Sequence, residues 1–489
     1  MRIFAAFLIF SLFVFGAGVK PAPTMASGDR TRPVLSTEQV FWSWYHATNP
    51  LQEVPASYSV NKEFWTWYLQ KMPPEDIKVK ATCRGIGQNL YVFVNDVDWE
   101  RPVTQADVDK IIEVFDRSTP GNPHKGIYRI ATEVFGPPPD KDGDPKIYIL
   151  ISELGEFRGH HFDGFFRYID QTDEKGSNQL DILYVDAHDP SSEYHLGVLA
   201  HEFQHLIHWR YDPEEAGWVN EALSEVCMIL CGYYTDKRHV ESFLKRPDRP
   251  LVADGHGATS YGACLLWATY IYDRLGSEFL GKWVRDPAQG VEGFESAIKN
   301  MAVGAGVKPA PTFNTLFADW MVALYLNNPE VEDGIYAYKS LSLPFGPYCE
   351  NITSYPVERE SEVNGYGIDY IKFSLSASDR LKVTVKGDSP NLLIKVIEPN
   401  KEKPSLTKVS ERHASTEGVD ILVGNSEVIG REKSAKADLA REREVILAIT
   451  VLEEIEKPVK YRFTASLEEA IQGRGLETMM APIGLGNGK

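Results

Sequence analysis

Cysteine is scarce: five residues (Cys83, Cys227, Cys231, Cys264, Cys349) in a chain of 489. Disulfides therefore do not build the fold, and the odd count leaves at least one thiol unpaired within the chain. Cys227 and Cys231 stand one helical turn apart in an apolar run, which predicts buried free thiols. Nothing around Cys83 supports a thiolate ligand to a metal there. Basic residues are outnumbered, with 51 Lys+Arg against 69 Asp+Glu and a formal charge of -18. That balance argues against phosphate-backbone binding, so no nucleic acid partner is expected. Long apolar runs are missing beyond the start of the chain. There Arg2 precedes the apolar stretch Ile3–Phe15 and the small residues Gly16, Ala17 and Gly18, the pattern of an export signal. The stretch is short for a membrane span, which takes about 20 apolar residues. Cleavage after Gly18 or Ala26 is expected, with an uncleaved anchor as the alternative. The body should be secreted or extracytoplasmic, in the periplasm or at the cell surface, without stable membrane insertion after cleavage.

What is present divides the chain. GAGVKPAPT occurs at Gly16–Thr24 and again at Gly304–Thr312. Rich in Pro and Gly, it reads as an extended linker and, in its second copy, as an insert in a surface loop. Short aromatic helices are predicted at Glu38–His46 and Glu63–Met72. Strands are expected at Asn89–Val94, Lys146–Ser152 and Leu180–Asp186, and a helix capped by Thr104 with Asp107 in its first turn. A helix-rich stretch follows from about Ser191 to Asn328. Beyond Pro344 the period changes to two, with strands at Tyr370–Leu375, Leu381–Lys386, Leu392–Ile397, Val419–Val423, Val445–Leu452 and Val459–Leu467. That is the pattern of an all-β sandwich.

The chemistry lies in HLGVLAHEFQHLIHW, His195–Trp209. Ser191 or Ser192 can cap a helix whose buried stripe is Leu196, Leu199, Phe203 and Leu206. His201 and His205 are four apart, so both imidazoles leave one face and can converge on a metal. Glu202, beside the first ligand, is placed to take a proton from the attacking water and pass it to the leaving amine. A His six residues after His205 would mark a metzincin, but that position is Tyr211. Instead the short loop Tyr211–Gly217 leads to a second helix, WVNEALSEVCMILCGY, which ends near Gly232. Turning back antiparallel, it sets Glu221 opposite the histidines as third ligand, leaving a fourth position for water. Glu225, one turn on, can accept the N–H of a ligating histidine. His208 reads as a packed or rim residue, and Glu214 and Glu215 as solvated loop charges.

These residues resemble the Glu-zincin superfamily of thermolysin and aminopeptidase N, and most of all the hyicolysin-like secreted bacterial metallopeptidases. The resemblance implies His201, His205 and Glu221 as zinc ligands, Glu202 as the base and Glu225 as the acid steadying a histidine. It reaches from about Ala81 to Pro344 through weaker flanking patterns. The His205–Glu221 interval is shorter than in thermolysin, Glu225 stands where thermolysin has Asp, and Gly304–Thr312 is an insert.

Two further sites are candidates. A donor to the developing oxyanion is sought in Tyr261, at the start of a helix Tyr261–Leu275, or in His256. In DKDGDPK, Asp140, Asp142 and Asp144 alternate as calcium ligands do, though the EF-hand spacing and terminal Glu are missing and a polar turn before a strand is the preferred reading. His160, His161 and Asp163 read as cleft rim, and Gly164–Tyr168 or Leu180–Asp186 as an edge for extended peptide. The expected fold is an α+β zincin-type metallopeptidase domain followed by an all-β sandwich. The expected divisions are 1–26 signal and linker, 27–75 N-terminal helical segment or propeptide, 76–345 peptidase domain, 346–470 β-sandwich and 471–489 flexible tail. The expected activity is that of a secreted zinc endopeptidase with one catalytic zinc and protein or peptide substrates, with calcium at Asp140, Asp142 and Asp144 as an alternative to a plain turn. The alternatives are a metal-bearing hydrolase of another bond, and a non-catalytic surface or adhesion protein retaining the scaffold. The intact Glu202 argues against the second.

Overall fold

The computed structural model describes residues 61–71, 73–157, 160–234, 237–253, 258–305, 310–376, 378–424 and 442–468. The export signal, the first linker copy, the Glu38–His46 helix, His256 and the tail lie outside the described residues. So do residues 306–309 of the second linker copy.

The chain is a mixed α+β unit followed by a β-rich region. The first sheet has six strands in the order β1-β2-β3-β4-β8-β7. They are β1 (Asn61–Tyr68), β2 (Glu75–Ile86), β3 (Leu90–Asn95), β4 (Ile147–Ser152), β7 (Gly164–Phe166) and β8 (Ile182–Asp186). A small hairpin of β5 (Glu156–Phe157) and β6 (His160–His161) precedes the edge strand β7. β3, β4 and β8 run parallel, while β7 returns antiparallel along β8. The central strands are apolar on both faces, as a sheet covered on both sides requires. Val92, Ile149 and Leu183 pack toward the helices. Phe93, Leu150 and Tyr184 pack into a second layer with Phe64, Trp67 and Phe165.

The segment Glu63–Met72, expected as a helix, is instead covered largely by strand β1, paired antiparallel with β2. Its Phe, Trp, Thr and Tyr side chains suit a half-buried pleat, and pairing with β2 overrides the short helical pattern. The capped helix does form: in α1 (Gln105–Asp116) the Asp107 carboxylate accepts the Thr104 N–H at 2.8 Å. α2 spans Ile127–Phe135.

α3 (Glu193–Tyr211) starts at Ser192, whose hydroxyl accepts the His195 N–H. Its stripe Leu196, Leu199, Phe203 and Leu206 is buried in the main core. α4 (Gly217–Cys231) ends on Gly232 at φ 85°, a left-handed position that suits glycine. α5 (Arg238–Lys245), α6 (Ala258–Trp283), α7 (Gly290–Ala305) and α8 (Phe313–Leu326) complete the helical layer. α6 breaks at Gly276, φ 78°, so its first half ends where the Tyr261–Leu275 helix was expected to end. Among the described residues no helix is long and apolar enough to cross a membrane.

In the β-rich region, β9 (Glu350–Ile352), β11 (Asp369–Ser376), β13 (Leu392–Glu398), β14 (Lys408–Ala414) and β16 (Glu442–Val451) form one sheet. β10 (Val357–Val363), β12 (Arg380–Gly387), β15 (Val419–Val423) and β17 (Val459–Glu468) form the other. The sheets share one apolar layer, including Phe373, Ile394, Leu447, Val383 and Phe463. β13 is buried on both sides, because Leu393 and Ile397 turn away from that layer into the helical core. The Tyr370 hydroxyl donates to Met321 O at 2.7 Å, pinning β11 to α8.

The α3–α4 link holds a residue that the sequence places in solvent: Glu215 is only 5% exposed. Its Oε1 accepts the N–H of Ala216 at 2.6 Å and of Gly290 at 2.7 Å, serving the starts of α4 and α7 together. Burial, reinforced by Asp212 and Asp286, raises its carboxyl from 4.5 to about 7. The folded chain thus holds this proton more tightly than the unfolded one. The associated stability is fully present below pH 4.5 and is lost as pH rises through about 7. Glu215→Gln keeps an acceptor and cannot ionise. It is expected to exceed the parent in stability by about 1–3 kcal/mol near pH 8, with a much smaller gain near pH 5. Urea midpoints at the two pH values measure this, and an equal gain at both would contradict it.

Candidate metal centre

α3 and α4 bring three ligand atoms together. His201 Nε2 lies 3.0 Å from His205 Nε2 and 3.2 Å from Glu221 Oε2, which is 3.7 Å from His205 Nε2. Around a tetrahedral ion with bonds of about 2.0–2.1 Å, ligand atoms sit about 3.3–3.4 Å apart, and the observed triangle brackets that spacing. Among the described residues, these three form one of two groups able to hold a metal. The helix supplies the first half of the geometry, since side chains four apart share a face. The short link between helices supplies the second.

The surroundings prepare the imidazoles as neutral donors. Burial takes His201 from 6.5 to about 3, with a lesser contribution from the charge of His239. Burial takes His205 to about 4 against the opposing pull of Glu221. A neutral ring offers a lone pair to a metal, as ligation requires. His205 Nδ1–H donates to Asn220 Oδ1 at 2.7 Å, and Ser224 Oγ lies 3.0 Å from the same nitrogen while donating to Gln204 Oε1 at 2.6 Å. With Nδ1 so engaged, the His205 Nε2 lone pair is directed at the triangle.

Glu202 is fully buried beside His201. Its neighbour is the edge strand: a Cβ built on Gly164 would lie 3.5 Å from Glu202 Cγ and 2.6 Å from Val198 Cγ1. Only a glycine lets β7 approach α3 this closely. Glu225 Oε1 stands 3.9 Å from His201 Nδ1, close in charge but beyond direct hydrogen-bond length.

The other expected positions fare differently. His208 lies outside the triangle; burial lowers its ring to about 3. Tyr261 is buried and stacks on His239, ring centroids 5.4 Å apart and planes 25° from parallel. Asp140 and Asp142 do meet a third carboxylate, but it is Asp181 and not Asp144. Asp144 accepts the Tyr91 hydroxyl at 2.8 Å and the Lys146 N–H at 3.1 Å. Asp181 stands just before β8, the parallel neighbour of β4, a contact that spacing along one loop does not reveal. The Cys83 thiol packs with β1 and β2 and donates to Gly85 O, and all five cysteines are free. His161 pairs with Glu156 at 3.3 Å.

Sequence reasoning missed Asn220, Ser224, Gln204 and His239. Adjacency to the ligands Glu221 and His205 is the signal that marks Asn220 and Gln204. His239 comes from a separate helix and carries no local signal. If Asn220 sets the direction of the His205 lone pair, Asn220→Ala should weaken divalent metal binding about 10–100-fold while leaving the fold intact. Chelator competition on the purified variant measures it, and unchanged affinity removes Asn220 from that role.

No family model matches the chain, and no curated protein matches it. Solved structures give slight likenesses. Aeromonas hydrophila PliG, a periplasmic lysozyme inhibitor of g-type lysozyme, is 12% identical at a TM-score of 0.15, over 24% of this chain and 97% of that one. A structure described as "CBM4 structure and function" is 10% identical at 0.15, over 23% of this chain and 71% of that one. Legionella pneumophila aminopeptidase A in complex with aspartic acid is 10% identical at 0.28, over 75% of this chain and 36% of that one. At these TM-scores the likenesses carry no argument about fold or activity.

Proposed function

We propose that the chain is a zinc-dependent endopeptidase of the Glu-zincin type, and that it acts outside the cytoplasm. One observation carries the reading: two desolvated imidazoles and a carboxylate converge within 3.7 Å of one another, on helices that also bury Glu202 beside them. A structural zinc site closes with four protein ligands, whereas three leave a position for water or substrate, as catalysis needs. Zinc held there would polarise the scissile carbonyl and acidify the attacking water.

The chain's own residues do the remainder. His201, His205 and Glu221 bind, while Asn220 and Ser224 orient. Glu202 takes the proton of the attacking water and returns it to the departing amine. The outer edge of β7 runs past Glu202 as the end of its sheet, and pairing with an extended main chain there suits a polypeptide substrate. The Tyr261–His239 pair is the proposed source of a hydrogen bond to the oxygen that gains charge. The group Asp140, Asp142 and Asp181 is kept as a candidate for a hard divalent ion such as calcium.

Casein cleavage with and without a chelator tests the activity. Glu202→Gln is expected to retain its metal and lose about 10²–10⁴-fold in rate. A metal-loaded E202Q protein that cleaves at the parent rate would exclude Glu202 as the base. Metal binding with no cleavage of casein or gelatin by the parent protein would favour a retained scaffold.

A further inference from the structure

Asp163 is buried, 7% exposed, at the residue before β7. Both ends of this residue are tied. Its main-chain carbonyl accepts the Asp186 N–H at 2.9 Å, continuing the β7–β8 pairing. Its Oδ2 accepts the Tyr194 hydroxyl at 3.0 Å, and its Oδ1 lies 3.5 Å from His195 Nε2. Tyr194 and His195 belong to the first turn of α3, and His195 is itself secured to the helix cap. Its N–H donates to Ser192 Oγ at 3.3 Å, with Nδ1 3.0 Å from the same oxygen. The Tyr194 and His195 rings meet edge to face, centroids 5.3 Å apart. A carboxylate taken out of water survives where it is held by such partners.

This arrangement lies at one end of a short rigid path. Along α3, two turns beyond His195, are His201 and Glu202. Along β7, one residue beyond Asp163, Gly164 passes against Val198 and the Glu202 side chain. Strand and helix therefore touch through Asp163 at the helix start, through Gly164 beside Glu202, and through Phe166 against the Trp209 ring. β7 is also paired to β8 along its length, and the Asp163 contact is the one that ties the start of the strand to the first turn of the helix.

We infer that Asp163, bonded to the Tyr194 hydroxyl with His195 close by, is a positioning residue that sets the β7 edge at a fixed distance from Glu202. An extended polypeptide paired to that edge then presents its carbonyl in reach of the water that Glu202 deprotonates. The inference rests on the peptidase reading above and adds the residue that aligns substrate with base. Reaction rates depend steeply on such alignment, so a loosened edge costs turnover more than it costs the fold.

The test compares the parent with Asp163→Asn and Tyr194→Phe, each as the full chain loaded with zinc. Three quantities are read: metal content, kcat and KM on an extended peptide, and amide hydrogen exchange across residues 164–166. D163N presents an amide group where the Tyr194 hydroxyl and His195 expect a carboxylate. It is expected to keep its metal, to lower kcat about 10–100-fold, and to speed exchange in that segment. Y194F, which removes a single bond and is the variant to rely on if D163N does not fold, should shift the same quantities in the same direction by less. A parent that cleaves, with variants of unchanged kcat or a loss matched by lost metal, overturns the inference. A parent that does not cleave overturns the peptidase reading instead. In that case unchanged exchange in the variants overturns the clamp, and faster exchange upholds its anchoring of β7.

Discussion

Two imidazole nitrogens 3.0 Å apart face one carboxylate oxygen among buried side chains, and this crowding of electron pairs governs the surrounding structure. Burial keeps both rings in the neutral form, so they carry no charge to neutralise Glu221. Such a cluster is poorly stable in an apolar interior unless a cation completes it. The apolar stripe of α3 anchors the histidine helix from behind, and Asn220 and Ser224 aim His205 from the side. These supports are what preorganisation of the proposed metal site would require.

The same requirement explains the connection between the two ligand helices. The link of residues 212–216 must turn the chain within a short distance and still satisfy the first N–H groups of α4. Glu215 does so from a buried position, and reaches the start of α7 as well. The spacing of the ligand helices is thereby tied to a second loop far along the chain. Its raised carboxyl is a consequence of performing that role among other acids and away from water.

Below the His201–His205–Glu221 cluster, a sheet apolar on both sides provides a stiff base whose last strand is the short edge β7. Gly164 lets that edge touch α3, and Asp163 ties it there. In the β-rich region, β13 is likewise buried on both faces, so the β-rich region and the helical layer share apolar surface. Lys395 shows the consequence: alone among apolar neighbours on β13, it is buried and pairs with Glu411 at 2.8 Å.

By itself the sequence determined the pattern local to each element. A spacing of four put two imidazoles on one helical face, a stripe of Leu and Phe marked the face behind them, and Gly232 marked the end of α4. Alternation of period two located most strands beyond Pro344. Those features are readable because they depend on neighbours within a turn or a strand. Tertiary structure alone decided what depends on partners distant in the chain. It made β1 a strand through pairing with β2, and it exchanged Asp144 for Asp181 across parallel strands. It also buried Glu215 between two helix starts and brought His239 near His201. In each case the deciding energy is a long-range contact or a loss of water, and neither leaves a periodic trace in the residues concerned.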